Sequence, residues 1–235
     1  MTLEEQKKFY DENGYLVLED AVDGRKCDYF LELFKNYSIK KGNSTWTELI
    51  QIHTEIPEVL DLMREKKIVD SVENLLEGEA IGLQSVCSFK KFDTPSGSYA
   101  WNPHQDNSYI KSDEKSYVSG DIVLENHEKD SGVLYVYPGS HREKLLPFEP
   151  HKSFDLPEGE NPGNKIINVP SNYEKVDLYL KKGSCLMFHP LVIHGSYKNI
   201  SKDKWRPILL MNYVRKNSNY YKGGRVKRTP VELRV

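Results

Sequence analysis

The feature that most constrains the fold is a series of short segments, rich in β-branched and aromatic residues, that begins at residue 80. Pro, Gly, Asn and Asp separate these segments, and such punctuation is typical of the strands and turns of an all-β sandwich or barrel. The segments cover residues 80–92, 98–110, 117–125, 133–137, 166–169, 177–180, 184–188, 191–197 and 206–214. The pattern predicts a jelly roll, a cupin-like double layer of strands, as the core of a mainly β protein with flanking helices.

Residues 1–79 have a different pattern, in which apolar residues recur at helical spacing. Thr2 and Glu5 form a capping-box pattern, and Gly14 predicts the end of this first helix before a strand-like run at 15–18. Two amphipathic helices are then expected, one around 27–37 and one from Val59 to Leu76, which ends before Gly78. We therefore expect residues 1–79 to form a largely helical support for the core.

The length of 235 residues suits one domain with a substantial core, and no internal repeat or low-complexity linker marks a boundary. Within residues 1–235, the jelly roll would occupy 80–214 and a basic tail would occupy 215–235. The tail is expected to be either solvated or a flap over an anionic substrate. The stretch 146–164 carries four prolines, which predicts a long surface loop or a lid.

Charge and cysteine usage exclude several classes of protein. The net charge is −2, so nothing indicates affinity for nucleic acid. The three cysteines are widely spaced and support neither a disulfide framework nor a zinc ribbon, which favours a reducing compartment. The N-terminus lacks an apolar signal segment, and no apolar run is long enough to cross a bilayer. We expect a cytoplasmic protein without a membrane or nucleic-acid partner. No Gly-x-Ser-x-Gly elbow or phosphate-binding glycine loop occurs.

The triplet His104-Gln105-Asp106 is the strongest chemical signal. Residues two apart in an extended strand point to the same face, so His104 and Asp106 would enter a cavity together. A further histidine would complete a 2-His-1-carboxylate triad, whose open coordination positions are typical of non-haem Fe(II) oxygenases. A single His-x-Asp is a weak signal, because it also occurs by chance, for example in a surface turn after Pro103.

Four blocks of sequence occur in a characteristic order. They are Phe9-Tyr-Asp-Glu-Asn-Gly-Tyr-Leu-Val-Leu, Pro103-His-Gln-Asp, Gly132-Val-Leu-Tyr-Val-Tyr-Pro-Gly-Ser-His141, and His194-Gly-Ser with Asn199-Ile-Ser201 and Arg206. Together they resemble the phytanoyl-CoA dioxygenase family of Fe(II)/2-oxoglutarate oxygenases, whose fold is a double-stranded β-helix. The resemblance implies Fe(II) held by His104, Asp106 and His194, with 2-oxoglutarate and O2 as cosubstrates. It favours His194 over the nearest rival, His189.

The resemblance also implies a site for 2-oxoglutarate. Arg206 would bind the far carboxylate of the cosubstrate, while Ser196, Lys91 and Gln84 are further candidate contacts. Arg206 lies one residue further from His194 than in the common family pattern, which a one-residue loop insertion explains. Strand alternation would place Arg206 and Asn212 on one face. The alternative role for Arg206 is an internal salt bridge.

Candidate substrate contacts follow from their position beside the ligand strand and the Arg206 strand. They are Trp101, Asn107, Tyr109 and Asn212, although aromatic residues at such positions more often belong to the core. An intact Asp106 favours hydroxylation of a C–H bond of a small molecule, with release of succinate and CO2, because related halogenases carry a small residue at this place. The alternatives are a cupin-like isomerase or hydrolase that uses another metal, or a non-catalytic small-molecule binder. Many substrates occur on this fold, so none is assigned, and the oligomeric state is left open.

Overall fold

The computed structural model describes residues 1–113, 115–150, 163–223 and 227–235. The helices are α1 Leu3–Asn13, α2 Gly24–Lys40, α3 Ile52–Glu55, α4 Val59–Met63, α5 Lys66–Leu76, α6 Pro95–Ser98 and α7 Asn107–Ile110. The strands are β1 Tyr15–Leu18, β2 Leu49–Ile50, β3 Ala80–Ser88, β4 Trp101–His104, β5 Tyr117–Val123, β6 Leu134–Val136, β7 Phe148–Glu149, β8 Lys165–Ile166, β9 Val176–Leu178, β10 Cys185–Phe188, β11 His194–Ser196, β12 Ile208–Arg215 and β13 Val231–Glu232.

Two antiparallel sheets form the core of the protein. The larger sheet has the strand order β1-β10-β5-β12-β3-β13, with β2 also paired to β3, and the smaller sheet has the order β4-β11-β6-β9. Val123 and Phe188 of the larger sheet pack with Val136 of the smaller sheet in one apolar cluster. The sheets therefore face each other across a shared interior, and the predicted double-stranded β-helix is confirmed.

Strand β5 shows how one strand serves two layers. Val118 and Ile122 belong to the large apolar cluster that also contains the N-terminal helices. Successive side chains of a strand point to opposite faces, so Tyr117, Ser119 and Asp121 project toward the interior between the sheets. The larger sheet thus has an apolar outer face under the helices and a partly polar inner face.

The N-terminal helices cover that outer face. The predicted capping box is present, because the Thr2 side chain accepts a hydrogen bond from the Glu5 backbone, and Gly14 ends α1 in the left-handed conformation with φ of 78°. The single helix expected over 59–76 is wrong: the backbone leaves the helical conformation at Glu65, where ψ is 118°, and this separates α4 from α5. The break lets α4 contact α3 while α5 packs against α1 and strands β3, β5 and β12.

The C-terminal residues return to the sheet, so the expected solvated tail is wrong for residues 227–235. Strand β13 pairs with β3, Leu233 is buried in the main core, and Arg234 forms ion pairs with Asp70 and Glu73 at 2.7 and 2.6 Å. Burial of an apolar side chain beside a completed sheet edge outweighs solvation of this basic segment.

Strands β7 and β8 pair with each other and lie at the two ends of the predicted 146–164 loop. Residues 151–162 of that loop lie outside the described residues, so its role as a lid stays a prediction. No helix in the described part of the chain is long and apolar enough to cross a membrane.

Candidate metal centre

His104 and His194 lie opposite each other on neighbouring strands. His104 is the last residue of β4, His194 is the first residue of β11, and the antiparallel register pairs them directly. Directly paired residues present their side chains to the same face of a sheet. Their ring centroids lie 4.3 Å apart, and both residues are buried. The topology thus brings together two imidazoles that are distant in the sequence.

Asp106 reaches the same point by a route that the sequence did not predict. Strand β4 ends at His104, and Asp106 has helical backbone angles (φ −57°, ψ −30°) at the start of α7. The expected extended His-x-Asp strand is therefore wrong, because the chain turns after His104. Asp106 Oδ1 nevertheless lies 3.9 Å from His104 Nε2 and 3.5 Å from His194 Nε2.

Gln105 stabilises this turn through hydrogen bonds of its buried side chain. Its side chain is buried, its Nε2 donates to the Leu191 carbonyl at 2.7 Å, and its Oε1 accepts from the Leu146 amide at 2.8 Å. Asn107 adds a backbone hydrogen bond to the Pro190 carbonyl at 2.9 Å. These bonds tie the turn to Leu146 and to the segment before β11, so Gln105 holds the Asp106 carboxylate beside the histidines.

Backbone carbonyls fix the orientation of both imidazoles. His104 Nδ1 lies 2.8 Å from the Asn102 oxygen, and His194 Nδ1 lies 3.1 Å from the Val192 oxygen. A carbonyl oxygen only accepts, so each Nδ1 carries the proton and each Nε2 keeps its lone pair. Burial lowers the pKa of His104 to about 4, which keeps this imidazole neutral near pH 7.

The ligand atoms of His104, Asp106 and His194 all lie within 4.8 Å of one another. Two imidazole nitrogens and one carboxylate oxygen on one side of a cavity fit a divalent transition metal and leave other coordination positions open. Sequence reasoning therefore selected a set of residues that the fold brings together, although it predicted the local backbone of Asp106 incorrectly.

Tyr117 and Asn212 orient the carboxylate. The Asn212 amide nitrogen donates to the Tyr117 hydroxyl at 2.6 Å, and this hydroxyl donates to Asp106 Oδ2 at 3.3 Å. This hydrogen bond occupies Oδ2, so Oδ1 remains directed toward the two histidines. Tyr117 was missed in the sequence, where its only signal was its place at the start of a predicted strand. Asn212, expected to contact substrate, instead holds Tyr117.

Arg206 is a buried cation, and no described residue provides a counter-ion at contact distance. Only 2% of its surface is exposed, and its Nε and Nη1 have no hydrogen-bond partner within the described residues. Burial lowers the pKa of Arg206 to about 10, against the opposing effects of Asp121 and Glu48. Neither carboxylate lies within 4.0 Å, so the internal salt bridge is not found in the described part of the chain. A buried guanidinium of this kind fits a carboxylate ligand.

Lys90, rather than the predicted Lys91, points into the interior. Lys90 is buried, and its ammonium donates to the Tyr99 carbonyl at 2.6 Å and to Ser196 Oγ at 3.1 Å. Lys91 instead lies over the rings of Trp46 and Trp205 on the outer side. The reason is a turn of the chain: β3 ends at Ser88, and Lys90 has a left-handed backbone with φ of 37°, so simple alternation along an extended strand does not apply here.

Ser196 lies near the expected position, whereas Gln84 does not. Ser196 is two residues beyond His194 on β11 and contacts Lys90, beside Arg206. Gln84 is on β3, and its Oε1 accepts from Arg228 Nε at 3.1 Å. Gln84 pairs with Asn212 in the middle of the β3–β12 ladder, whereas Arg206 precedes the first pair of that ladder, so Gln84 lies away from Arg206.

The remaining candidate substrate residues separate into two kinds. Trp101 and Tyr109 flank His104, with ring centroids 5.8 and 6.0 Å from its imidazole. The Asn107 side chain closes its own loop, because its Oδ1 accepts from the Ser112 amide at 2.8 Å. The two aromatic residues are therefore placed to contact a substrate, while the contacts of Asn107 are structural.

His189 lies outside this cluster. Its ring packs 5.0 Å from His141 and 5.9 Å from Tyr10, and its Nδ1 accepts from the Leu191 amide. Burial lowers the pKa of His189 to about 3. The geometry thus supports the choice of His194 over this rival.

A jelly roll with two histidines and one aspartate converging between its sheets has the architecture of mononuclear non-haem metal enzymes. The sequence model of the phytanoyl-CoA dioxygenase family (PhyH) matches residues 10–208. The chain therefore belongs to this family, which consists of Fe(II)- and 2-oxoglutarate-dependent oxygenases.

The relatives include peroxisomal phytanoyl-CoA dioxygenases. The protein of Bos taurus is 27% identical over 92% of this chain and 69% of the relative, and that of Homo sapiens is 27% identical over 83% of this chain and 63% of the relative. This chain thus spans about two thirds of the length of these relatives.

Solved structures share the fold. The non-haem monooxygenase ThoJ has a TM-score of 0.78 at 18% identity, with coverage of 97% of this chain and 83% of the other. The 2-oxoglutarate-dependent carbocyclase SnoK has a TM-score of 0.76 at 17% identity, with coverage of 99% and 96%. At these identities the likeness establishes the fold alone.

Proposed function

We propose that this protein is an Fe(II)/2-oxoglutarate-dependent dioxygenase that hydroxylates a C–H bond of a small-molecule substrate and releases succinate and CO2. His104, Asp106 and His194 would hold the iron. The observation that carries the proposal is the combination of this oriented donor triad with the buried guanidinium of Arg206, whose Nε and Nη1 have no hydrogen-bond partner within the described residues. A metal triad alone would suit several chemistries, whereas a buried cation beside it suits a cosubstrate with a second carboxylate.

Bound iron and 2-oxoglutarate would supply activation of O2 and the electrons for the oxidation. The residues of the chain would provide binding and orientation. Arg206 has two donors, Nε and Nη1, without a described partner for a two-pronged bond to the far carboxylate of 2-oxoglutarate, and Ser196 and Lys90 are further candidate donors. This binding would fix the cosubstrate relative to His104 and His194.

The walls of the site would limit access of water. The Phe188 ring stacks on His194 at 4.2 Å with an interplanar angle of 19°, and Trp101 and Tyr109 flank His104. Three aromatic rings around two ligands leave the imidazoles little contact with solvent, which would protect a reactive centre from side reactions.

Hydroxylation is the outcome that the intact carboxylate supports, because Asp106 occupies the ligand position at which a halide would otherwise bind. The structural neighbours include proteins described as a monooxygenase, an epimerase and a carbocyclase, so the fold leaves the outcome open. Family membership disfavours the cupin-like isomerase or hydrolase, and a non-catalytic binder remains the competing outcome of the tests. The cytoplasmic location also stays a prediction.

The first test is anaerobic visible absorption of the metal-free protein during addition of Fe(II) and then 2-oxoglutarate. We expect the weak charge-transfer band of a bidentate iron–2-oxoglutarate complex. The band should be lost in His104→Ala, and in Arg206→Ala it should need far more 2-oxoglutarate. His189→Asn is the matched control and should retain it.

Two results would contradict the proposal. If iron binds without the band, the cosubstrate assignment is wrong. If the band forms in His104→Ala as readily as in the unaltered protein, the ligand assignment is wrong. A band without succinate release against any substrate panel would favour the non-catalytic binder.

A further inference from the structure

We propose that the cavity between β3 and the C-terminal segment is the substrate site and that Arg228 there binds an oxyanion group, carboxylate or phosphate, of the substrate. This inference rests on the proposed function and extends it to the substrate class. The cavity has a volume of about 380 Å³, which suits a compact molecule.

Charge in this cavity is of one sign. Arg228 and Lys111 contribute to its lining, together with Gln84, Tyr109 and Tyr221, and no acidic residue is present among the described lining residues. Lys111 Nζ lies 5.4 Å from the centre of the Tyr221 ring. Two cations and no carboxylate in one concave site favour an anionic ligand.

Among the described residues, the partners of Arg228 are all neutral. Its Nε donates to Gln84 Oε1 at 3.1 Å, its Nη1 donates to the Tyr221 carbonyl, and its guanidinium carbon lies 5.7 Å from the Tyr221 ring centre. In the described part of the chain, no carboxylate lies within 4.0 Å of it. These contacts hold the guanidinium in place without neutralising it, as expected for a residue whose counter-ion is a ligand.

A short series of contacts connects this cavity with the metal centre. Gln84 and Asn212 are directly paired across β3 and β12, and Asn212 reaches Asp106 through the Tyr117 hydroxyl. On the other wall, Tyr109 lines the cavity, and its ring lies 6.0 Å from the His104 ring. A substrate held by Arg228 would therefore extend past Tyr109 toward the metal ligands.

The cavity is separate from the proposed 2-oxoglutarate site. Arg206 precedes β12, whereas Asn212, the partner of Gln84, lies six residues further along the chain. At the rise of an extended chain, this separation is roughly 20 Å. Arg228 is thus too far along the ladder to bind the same carboxylate as Arg206, and the two guanidiniums would bind different molecules.

The test uses full-length protein with Mn(II) in place of Fe(II) and saturating 2-oxoglutarate, so that Arg206 is occupied. Phenylacetate and phenyl phosphate are the anionic probes, and phenylacetamide is the neutral one. Proton relaxation by Mn(II) reports binding near the metal. We expect both anions, or one of them, to bind about tenfold more tightly than phenylacetamide, the size of effect of one charge-assisted hydrogen bond.

Variants identify the residue responsible. Arg228→Gln should reduce the anion affinity to that of phenylacetamide, and Arg228→Lys should retain part of the preference. Lys227→Gln removes the same charge from an adjacent exposed residue and should change nothing. The ratio between the two anions distinguishes a carboxylate substrate from a phosphorylated one. Relaxation of the 2-oxoglutarate protons in each variant verifies that the metal site is intact.

Two outcomes would overturn this inference while leaving the proposed function intact, provided that Mn(II) still relaxes the 2-oxoglutarate protons. The first is that the unaltered protein shows no preference for the anions over phenylacetamide. The second is that Arg228→Gln shows the same preference as the unaltered protein. If Mn(II) does not relax 2-oxoglutarate even in the unaltered protein, the proposed function fails, and the substrate site fails with it.

Discussion

The Tyr117 hydroxyl and the Asp106 carboxylate are joined by a hydrogen bond of 3.3 Å that ends on Oδ2. Because Asn212 donates to the same hydroxyl, the phenol proton is directed to Asp106. Oδ1 therefore remains the oxygen that lies near the two Nε2 atoms. A tyrosine with no predicted role thus determines the orientation of a proposed metal ligand.

Replacement of Tyr117 should weaken metal binding. Tyr117→Phe removes the hydrogen bond to Asp106 and should raise the Kd for Fe(II) or Mn(II) about tenfold, as for other residues that orient metal ligands. Tyr213→Phe is a matched control, because its hydroxyl donates to the Met63 carbonyl on the opposite face of the sheet. Anaerobic metal titration of both variants measures the effect. Equal affinities in the two variants would contradict the proposed role of Tyr117.

Neighbouring lysines should differ in their effect on 2-oxoglutarate. Lys90 is buried and contacts Ser196, whereas Lys91 lies over two tryptophan rings. Lys90→Met should raise the Kd for 2-oxoglutarate about tenfold through loss of a donor to a charged ligand, and Lys91→Met should leave it unchanged. Calorimetric titration of the Mn(II)-loaded proteins measures both values. A larger effect of Lys91→Met would restore the original sequence prediction.

Gln105 should contribute to stability in the absence of metal. Gln105→Leu leaves the Leu191 carbonyl and the Leu146 amide without their side-chain partner, which should lower the free energy of unfolding by about 2 kcal/mol. Gln6→Leu is the control, because Gln6 is also buried, but its Oε1 has no hydrogen-bond partner in the described residues and its Nε2 makes only a long bond of 3.4 Å to the Met1 carbonyl. Its replacement should be neutral or stabilising. Urea unfolding of the metal-free proteins measures both changes. A similar loss of unfolding free energy in both variants would refute the role of Gln105.

His189 should make stability depend on pH. Burial lowers its pKa from 6.5 to about 3, so the unfolded chain binds a proton here more readily than the folded one. The neutral, buried His189 therefore makes its full contribution to the free energy of unfolding above pH 6.5, and this contribution is lost as the pH falls toward 3. As the pH falls from about 7.5 to about 5, protonation of His189 in the unfolded chain should lower the free energy of unfolding by about 2 kcal/mol.

The matched variant is His189→Asn, whose Oδ1 can accept from the Leu191 amide in place of Nδ1. It should lose about 2 kcal/mol less than the unaltered protein over the same pH interval. Urea unfolding of both metal-free proteins at the two pH values gives the difference. Parallel pH profiles would show that His189 is not buried as a neutral imidazole.

Local sequence signals predicted much of this molecule. Short runs of β-branched and aromatic residues, separated by Pro, Gly, Asn and Asp, predicted the strands of the jelly roll, and Thr2, Glu5 and Gly14 predicted the bounds of α1. These signals depend on neighbours a few residues apart, which interact in the same way whatever the rest of the chain does. The break between α4 and α5 was missed, because it depends on which elements each helix packs against.

The sequence by itself determined the fold class, the residue types of the candidate metal centre and the need of Arg206 for a partner, since these follow from periodicity, ligand chemistry and the cost of a buried charge. Only the tertiary structure decided that His104 pairs with His194, that Asp106 turns rather than extends, that Lys90 replaces Lys91, and that Arg228 lines a cavity. Each of these depends on strand register and chain reversal, where a shift by one residue exchanges inward and outward side chains.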